Sequence, residues 1–580
     1  MAQKVAAVIG ARLNSSRLPG KQLLPLAGKP LITHIVERLR RVKGLDQIML
    51  ATTADDFNKP LRDWAAENGV ECLAYEGDVN DLVGRVDTAF SQTGADQLLY
   101  ICGDCPLIEP STLERMIEAM RATPRAGLAK LRPAADGKRF IHEGFDLYAR
   151  DFWQAMVEVA HEPFEREHIG AVYHHLGRVT PDAIAWVDEP AHFAAVDHRI
   201  SVDTPSDYRF MRRIYADWFA SRDAHEIVDL SHVIVRLENE PDLAAMNHHV
   251  HQKQVGENSK SVLVVTEAGP KAGMGHLSRS LVLAAALQDY VGAKVQLLII
   301  GPQVEREELA LIPHEWLDEA NVQAELAGRT ADLLVVDVQR VTGGLRAYLA
   351  GSAIHPAIGI DVGEADEDFF DHVWVPSFYM APERAGRLNG RLSYGWDHYL
   401  LGATPGQAPG EGKKLIVLTG GGDVAALGNV WPRLLDQSLE ADIQVDWVQG
   451  PYANEPDVGG IEERLNVLKS PGDLSSRIAG YHAALSVFGV SFFECLQADV
   501  PVVTCDPVGV SNPQEWESLK TALPGQVADC AEEAVGLLAG LMEGRTELHS
   551  HELATQMREG PRKFAALAAD LLAGGEPKHV

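Results

Sequence analysis

Short apolar runs alternating with stretches of helical period limit the folds open to this chain more than any other feature. Val5 to Ile9 is the first run, and Pro30 to Val42 follows with Leu31, Ile32, Ile35, Val36 and Leu39 spaced for one buried helix face. The alternation continues through Gln47 to Ala51, Leu61 to Glu67, Glu71 to Ala74, Asp81 to Gln92 and Gln97 to Ile101. Strand and helix in turn predict an α/β fold, a mostly parallel sheet with helices on both faces and ligands held beyond the carboxyl ends of the strands. The pattern restarts at Ser261 to Thr266 and runs through Val295 to Ile300, Leu333 to Asp337, Ile358 to Asp361 and Val373 to Pro376. It begins again with Lys414 to Thr419, Ile443 to Gln449, Ala483 to Phe488 and Pro501 to Thr504. A chain of 580 residues is too long for one core. The expected order is a first domain at 1–222, a helical connector and linker at 223–260, and two lobes at 261–404 and 413–580, divided near the Gly/Pro-rich run Gly402 to Gly412.

Charge narrows the partners. With 82 acidic against 52 basic residues the net charge is −30, which repels nucleic acid and anionic membrane over most of the surface. Any phosphate site must therefore be local. No window approaches the roughly 18 consecutive apolar residues of a membrane span, and Lys4 leads directly into a strand, so neither a span nor a signal peptide is expected and the protein is expected to be cytoplasmic. Six scattered cysteines do not make a disulfide framework, and Cys102 and Cys105 lack the second pair or helix start that a zinc or redox motif needs.

The local phosphate site is the loop after the first strand, Ala11 to Lys21, which carries Arg12, Arg17 and Lys21 with Ser15, Ser16 and Gly20. Backbone N–H groups and three cations on one loop suit a polyphosphate. The spacing is neither that of an ATPase phosphate loop nor that of a dinucleotide turn. It resembles the signature of the sugar cytidylyltransferases, above all the CMP-KDO synthetases and spore-coat polysaccharide cytidylyltransferases, whose loop reads Arg-x-x-Ser-x-Arg-Leu-Pro-Gly-Lys. Arg12, Ser15, Arg17, Leu18, Pro19, Gly20 and Lys21 match it, and Gly103-Asp104-Cys105-Pro106-Leu107-Ile108 and Asp203-Thr204-Pro205-Ser206-Asp207 match two further motifs of that family.

That resemblance implies a Rossmann-like, GT-A-like nucleotidyltransferase domain that moves CMP from CTP to a sugar acid and releases pyrophosphate. It assigns Arg12 and Lys21 to catalysis, Arg17 and Ser15 to the nucleotide, and Asp104 and Asp203 to Mg²⁺, which takes carboxylate and phosphate oxygens together. Base recognition falls to the remaining strand ends, Thr52 and Thr53 and then Tyr75-Glu76-Gly77-Asp78 leading to Asp81 and Arg85. The sugar falls to Asp146, Arg166 and His168, within Gly144-Phe145-Asp146 and Glu165-Arg166-Glu167-His168. Enzymes of this type often dimerise, so a homo-oligomer is expected. Taken as residues alone, Asp203 also reads as a helix N-cap beside Pro205, and 165–168 as a charged helix face. His248, His249 and His251 in the connector read as a solvated linker.

In the second half, Gly273-Met274-Gly275-His276-Leu277-Ser278-Arg279 follows a strand and precedes a helix expected at Leu281 to Leu287. It resembles the UDP-sugar hydrolase of pseudaminic acid biosynthesis and its spore-coat homologue, relatives of the two-lobed glycosyltransferases. The resemblance implies a GT-B-like module with a cleft for a UDP-sugar. Gly273 and Gly275 would hold the ligand, His276 would be the general base, and Ser491 and Glu494 would hold diphosphate and ribose, with Asn512 the nearest match to a functional Asn-Gln pair. His276 also reads as a residue capping or packing under the next helix. Together the halves imply a bifunctional enzyme of nonulosonic (sialic-acid-like) sugar biosynthesis. The alternatives for the second half are a GT-B glycosyltransferase and a non-catalytic nucleotide-sugar-binding module.

Overall fold

The computed structural model describes all residues except 1–2, 135–136, 252–258, 271, 403–411, 460–462, 472–473, 546–549 and 575–580. The dividing run expected at Gly402 to Gly412 lies almost wholly outside the described residues, as does the expected linker end at 256–258. The chain forms two compact units, Met1–Asn258 and Ser259–Val580, and the α/β class holds in both. No helix among the described residues is long and apolar enough to cross a membrane.

The first unit is built on a seven-stranded sheet running Glu71–Tyr75, Gln47–Thr53, Val5–Gly10, Gln97–Cys102, Phe145–Ala149, Ala126–Leu131 and Ala183–Val187 from edge to edge. Val5 to Ile9 is fully buried and flanked on both sides by parallel strands, which is why it is apolar at every position rather than at alternate ones. Strand order reverses at this strand, and such a reversal opens a crevice at the carboxyl end. The loop at 11–21 leaves the sheet there. Beyond Gln97–Cys102 the sheet departs from the mostly parallel expectation: Phe145–Ala149 lies antiparallel to both of its neighbours.

The segment 223–250, expected as a helical connector whose first apolar stretch, Ile227 to Leu237, could close the first domain, is part of this unit. Arg38, buried in the helix Leu31–Leu39, donates to the carbonyl of Val228, and Lys29 donates to that of Ala224 at 3.0 Å. Helix Leu230–Asn239 buries Leu230, Val233, Ile234 and Leu237. An edge at residue 222 would expose these apolar side chains and leave the Arg38 guanidinium buried without that acceptor.

The second unit contains two wholly parallel sheets. One runs His314–Leu317, Lys294–Ile300, Ser261–Glu267, Leu333–Asp337, Ala357–Ile360, His372–Trp374 and Leu392–Ser393. The other runs Leu465–Lys469, Gln444–Gln449, Lys414–Leu418, Ala483–Val487, Val502–Cys505 and Val527–Ala528. Both are doubly wound, with the first strand at the centre and the order reversing there. The final helix, Gly560–Leu572, does not stay with the second lobe as the 413–580 division expects. It packs on helix Gly275–Val291, and Phe564 meets Trp374 edge to face at 5.2 Å.

Candidate active sites

In the first unit the basic loop is shaped by its backbone. Gly20 sits at φ 64°, a left-handed conformation costly for other residues, and starts the turn Lys21–Leu23 that carries Lys21 inward. Ser15 Oγ accepts from the Leu18 N–H at 3.3 Å, and the Leu13 N–H is donated to Asn58 Oδ1 at 2.7 Å, pinning the loop to the end of the neighbouring strand. Gly103 lets the Asp104 turn lie against this loop, since a Cβ there would stand 2.9 Å from the carbonyl oxygen of Gly10.

Asp104 and Asp203, far apart in sequence, meet on one ammonium. Lys21 Nζ donates to Asp104 Oδ2 at 2.7 Å and to Asp203 Oδ1 at 2.8 Å. Arg17 stands 3.4 Å from Asp203, and Arg199 donates to its other oxygen. Burial opposes the Asp203 charge, but Lys21, Arg17 and Arg199 outweigh it and hold the carboxyl far below the ordinary aspartate range. Burial likewise pushes the Lys21 ammonium down, and the two carboxylates override it and raise it.

Arg199 to Asp207, whose sequence reads as a strand, a turn and a helix start, contains no strand: the segment is irregular up to helix Pro205–Phe219. The helix N-cap is Thr204, whose Oγ1 accepts from the Asp207 N–H while the Asp207 carboxylate accepts from the Thr204 N–H. The capping chemistry seen in the sequence is real but sits one residue later, and the Asp203 side chain is left to the cations.

Arg12 donates to the carbonyl of Val79 at 2.9 Å and to Asn80 Oδ1 at 2.8 Å, and buried Arg85 reaches the same carbonyl at 3.3 Å. Tyr75 and Arg166 both donate to Asp81, at 3.0 and 2.6 Å. Thr52 is fully buried, and its hydroxyl has no hydrogen-bond partner among the described residues. The residues assigned to the sugar turn to different neighbours: Asp146 faces His174 at 3.6 Å, Arg166 holds Asp81, and exposed His168 packs on Phe164 with ring centroids 5.0 Å apart. Glu165 caps its own helix.

Arg199, to which no motif gives a role, bridges Asp203 and Asp207, and Asp81, expected on the base-recognition side, holds Arg166 instead. No group of three or more His, Cys, Asp or Glu among the described residues is placed to hold a metal. The two carboxylates converging on Lys21 still fit a magnesium-type cation, which binds through one or two carboxylates and completes its shell with phosphate oxygens and water.

In the second unit, helix Gly275–Val291 begins earlier than expected, so His276 and Arg279 lie in its first turn rather than in a loop. Gly273 precedes it at φ 73°. His276 Nδ1 lies 2.8 Å from Asp337 Oδ1, and Arg279 Nε donates to Asp337 Oδ2 at 2.8 Å. A carboxylate only accepts, so Nδ1 carries the hydrogen and Nε2 is left to take a proton. Burial opposes the Asp337 charge, but Arg279 and His276 outweigh it and keep the carboxyl below its usual range. Asp337, the last residue of a buried parallel strand, was legible in principle by that position, as Asp104 was.

From the second lobe, helix Val490–Gln497 presents its N-terminus to that of the first: a Cβ at Gly275 would stand 3.4 Å from Val490 Cγ2. Ser491 is half-buried on the first turn of this helix. Buried Glu494 accepts from Ser475 Oγ at 3.1 Å, and burial raises its carboxyl above the ordinary value despite Ser475 and Arg306. Asn512 is exposed, and its Oδ1 accepts from the Gln514 N–H at 2.8 Å as N-cap of helix Pro513–Ala522. The proline that interrupts the expected Asn-Gln pair is the first helical residue, so the asparagine oxygen serves the helix end.

A cytidylyltransferase family model matches residues 6–180. A 3-deoxy-manno-octulosonate cytidylyltransferase of Anaeromyxobacter sp. (strain K) is 40% identical over 135 residues, 23% of this chain and 54% of that protein. The chain thus spans about half the length of that relative. An 8-amino-3,8-dideoxy-manno-octulosonate cytidylyltransferase of Shewanella amazonensis is 32% identical over 185 residues, 30% of this chain and 72% of that protein. Among solved structures, a calicheamicin glycosyltransferase is 14% identical, covering 55% of this chain and 99% of its own at a TM-score of 0.38. Through its first unit, the chain belongs to the cytidylyltransferase family.

Proposed function

We propose that the first unit transfers the cytidylyl group of CTP to a hydroxyl of an acidic sugar of the 3-deoxy-manno-octulosonate class and releases pyrophosphate. The observation that carries this reading is the convergence of the basic loop, Asp104 and Asp203 on the Lys21 ammonium at the carboxyl end of the central strand. The attacking sugar oxygen displaces pyrophosphate at the α-phosphorus, and no protein nucleophile is needed. Asp104 and Asp203 would hold a divalent cation such as Mg²⁺, which when bound supplies positive charge to the phosphate oxygens. Lys21, Arg12 and Arg17 would stabilise the charge that develops on the triphosphate. Arg166, already oriented by Asp81, offers its remaining N–H groups to the sugar carboxylate, a planar match for a guanidinium. Pyrophosphate release from CTP should occur with 3-deoxy-manno-octulosonate or its 8-amino analogue. It should fall by about 10²-fold or more in Asp104→Ala. No release with any sugar acid from a folded native chain would end the proposal.

For the second unit we infer a nucleotide-sugar enzyme, because buried Asp337 orients His276 on the helix that follows the central strand. His276 Nε2 removes a proton from the attacking hydroxyl, that of water if the substrate is a UDP-amino-sugar to be hydrolysed. Incubation with UDP-amino-sugars separates the outcomes. Free sugar lost in His276→Ala supports hydrolysis, product formed only with a sugar acceptor supports transfer, and binding without product in either condition leaves a binding module.

A further inference from the structure

The Asp203 segment is held from a distance by a residue of the former connector. Asn247 is 1% exposed, and its Nδ2 donates to Asp207 Oδ1 at 2.9 Å and to the carbonyl of Arg199 at 3.2 Å. Both partners are acceptors, so the amide orientation is fixed, and Asn247 Oδ1 takes the hydrogen of His198 Nε2 at 2.7 Å. Asn247 thus touches residues 198, 199 and 207, on both sides of Asp203.

The partners of Asn247 are those that set the Asp203 carboxylate. The Asp207 side chain, with no exposed surface, accepts from Arg199 Nε at 3.0 and 3.1 Å and from the Asp203 N–H at 3.0 Å. The Arg199 guanidinium therefore spans Asp207 and Asp203. The segment is also held by half-buried Glu143, which accepts from the N–H groups of Ile200 and Ser201 at 3.0 and 2.7 Å. With no regular secondary structure between 199 and 204, side chains supply most of the hydrogen bonds that a strand ladder would have given, beside the bond from the Val202 N–H to the Asp104 carbonyl at 2.9 Å.

We propose that Asn247 is a positioning residue of the cytidylyl site: through Asp207 and the Arg199 carbonyl it fixes the segment that presents Asp203 to the metal-bound nucleotide. This rests on the reading of the first unit as a CTP-using enzyme with Asp203 at its metal. Residues 241–250 are then a working part of that site rather than a tether.

The test is calorimetric titration of the full-length chain with CTP in the presence of Mg²⁺, together with the Mg²⁺ dependence of pyrophosphate release. Asn247→Ala should weaken CTP binding and raise the half-saturating Mg²⁺ by about tenfold, the equivalent of one lost hydrogen bond to a charged group. Leu243→Ala, which loosens the same segment at a buried side chain outside the network, controls for a general loss of packing and should leave both quantities near native. Native binding of CTP with Asn247→Ala unchanged would overturn the proposal alone, as would an equal shift in Leu243→Ala. Failure of the native chain to bind CTP would remove the reading of the first unit and this proposal with it.

Discussion

Replacing Lys21 by methionine tests the centre of the first site, because it keeps the aliphatic stem and removes only the ammonium shared by Asp104 and Asp203. Removing one partner of a buried ion pair typically costs about 3–5 kcal/mol, since the other charge is left uncompensated. Here the Lys21 side chain is 8% exposed and each carboxylate 24%, and Arg17 and Arg199 still serve Asp203, so the lower end, about 3 kcal/mol, applies. For a unit of this size that corresponds to a fall of roughly 6–12 °C in its unfolding midpoint. The sign with pH is set by the raised Lys21 value: its contribution is complete below the ordinary lysine value of 10.5 and lost only as pH rises beyond it. The full loss is therefore expected at pH 7.5.

The same variant leaves two carboxylates facing one vacated point, which suits a divalent cation better than the native arrangement does. Scanning calorimetry of the full chain in chelator should show the first unit's transition lowered by the stated amount. Millimolar Mg²⁺ should restore most of it, since a ligand at a hundred times its dissociation constant stabilises by about 2.7 kcal/mol. A loss below about 1 kcal/mol in chelator would mean that the bridging ammonium is not a main support of the site. An equal loss with and without Mg²⁺ would refute the assignment of these two carboxylates to a cation.

Two further outcomes follow from the second unit. Asp337→Asn should leave His276 in place but replace the carboxylate by an amide that, with its oxygen turned to Arg279, offers an N–H to Nδ1 and favours the wrong tautomer, lowering turnover of a UDP-sugar by about 10²-fold; unchanged UDP release would show that His276 does not act as the base. Glu494 is raised by burial, so the stability of its fold is greatest at low pH and falls as pH rises past the ordinary 4.5 through the raised native value. Glu494→Gln should therefore raise the second unit's unfolding midpoint at pH 8 and not at pH 4, and an equal gain at both would contradict the buried charge.

The sequence by itself determined where the three large sheets begin and which loops leave their central strands. Strands buried on both faces must be apolar throughout, and Val5 to Ile9, the run from Ser261 and the run from Lys414 say so without help. It also determined the basic loop, because an apolar strand followed by Arg12, Arg17, Gly20 and Lys21 has few other uses. Reading failed where a segment's conformation is set by partners distant in the chain. Residues 199–203 have the composition of a strand, yet Glu143, Asp207 and Asn247 take up the hydrogen bonds that a neighbouring strand would have supplied. Asn512 matched a motif by type, but the local demand of a helix end for an acceptor took its oxygen first. The apolar stretch Ile227 to Leu237 marks a helix by its own spacing, but the surface it closes on, with the Arg38 hydrogen bond to Val228, is visible only when the unit is assembled. Side-chain pairs such as His276 with Asp337 or Lys21 with its two aspartates are decided by tertiary structure alone, since they join positions that only the winding of the sheets brings to one strand end.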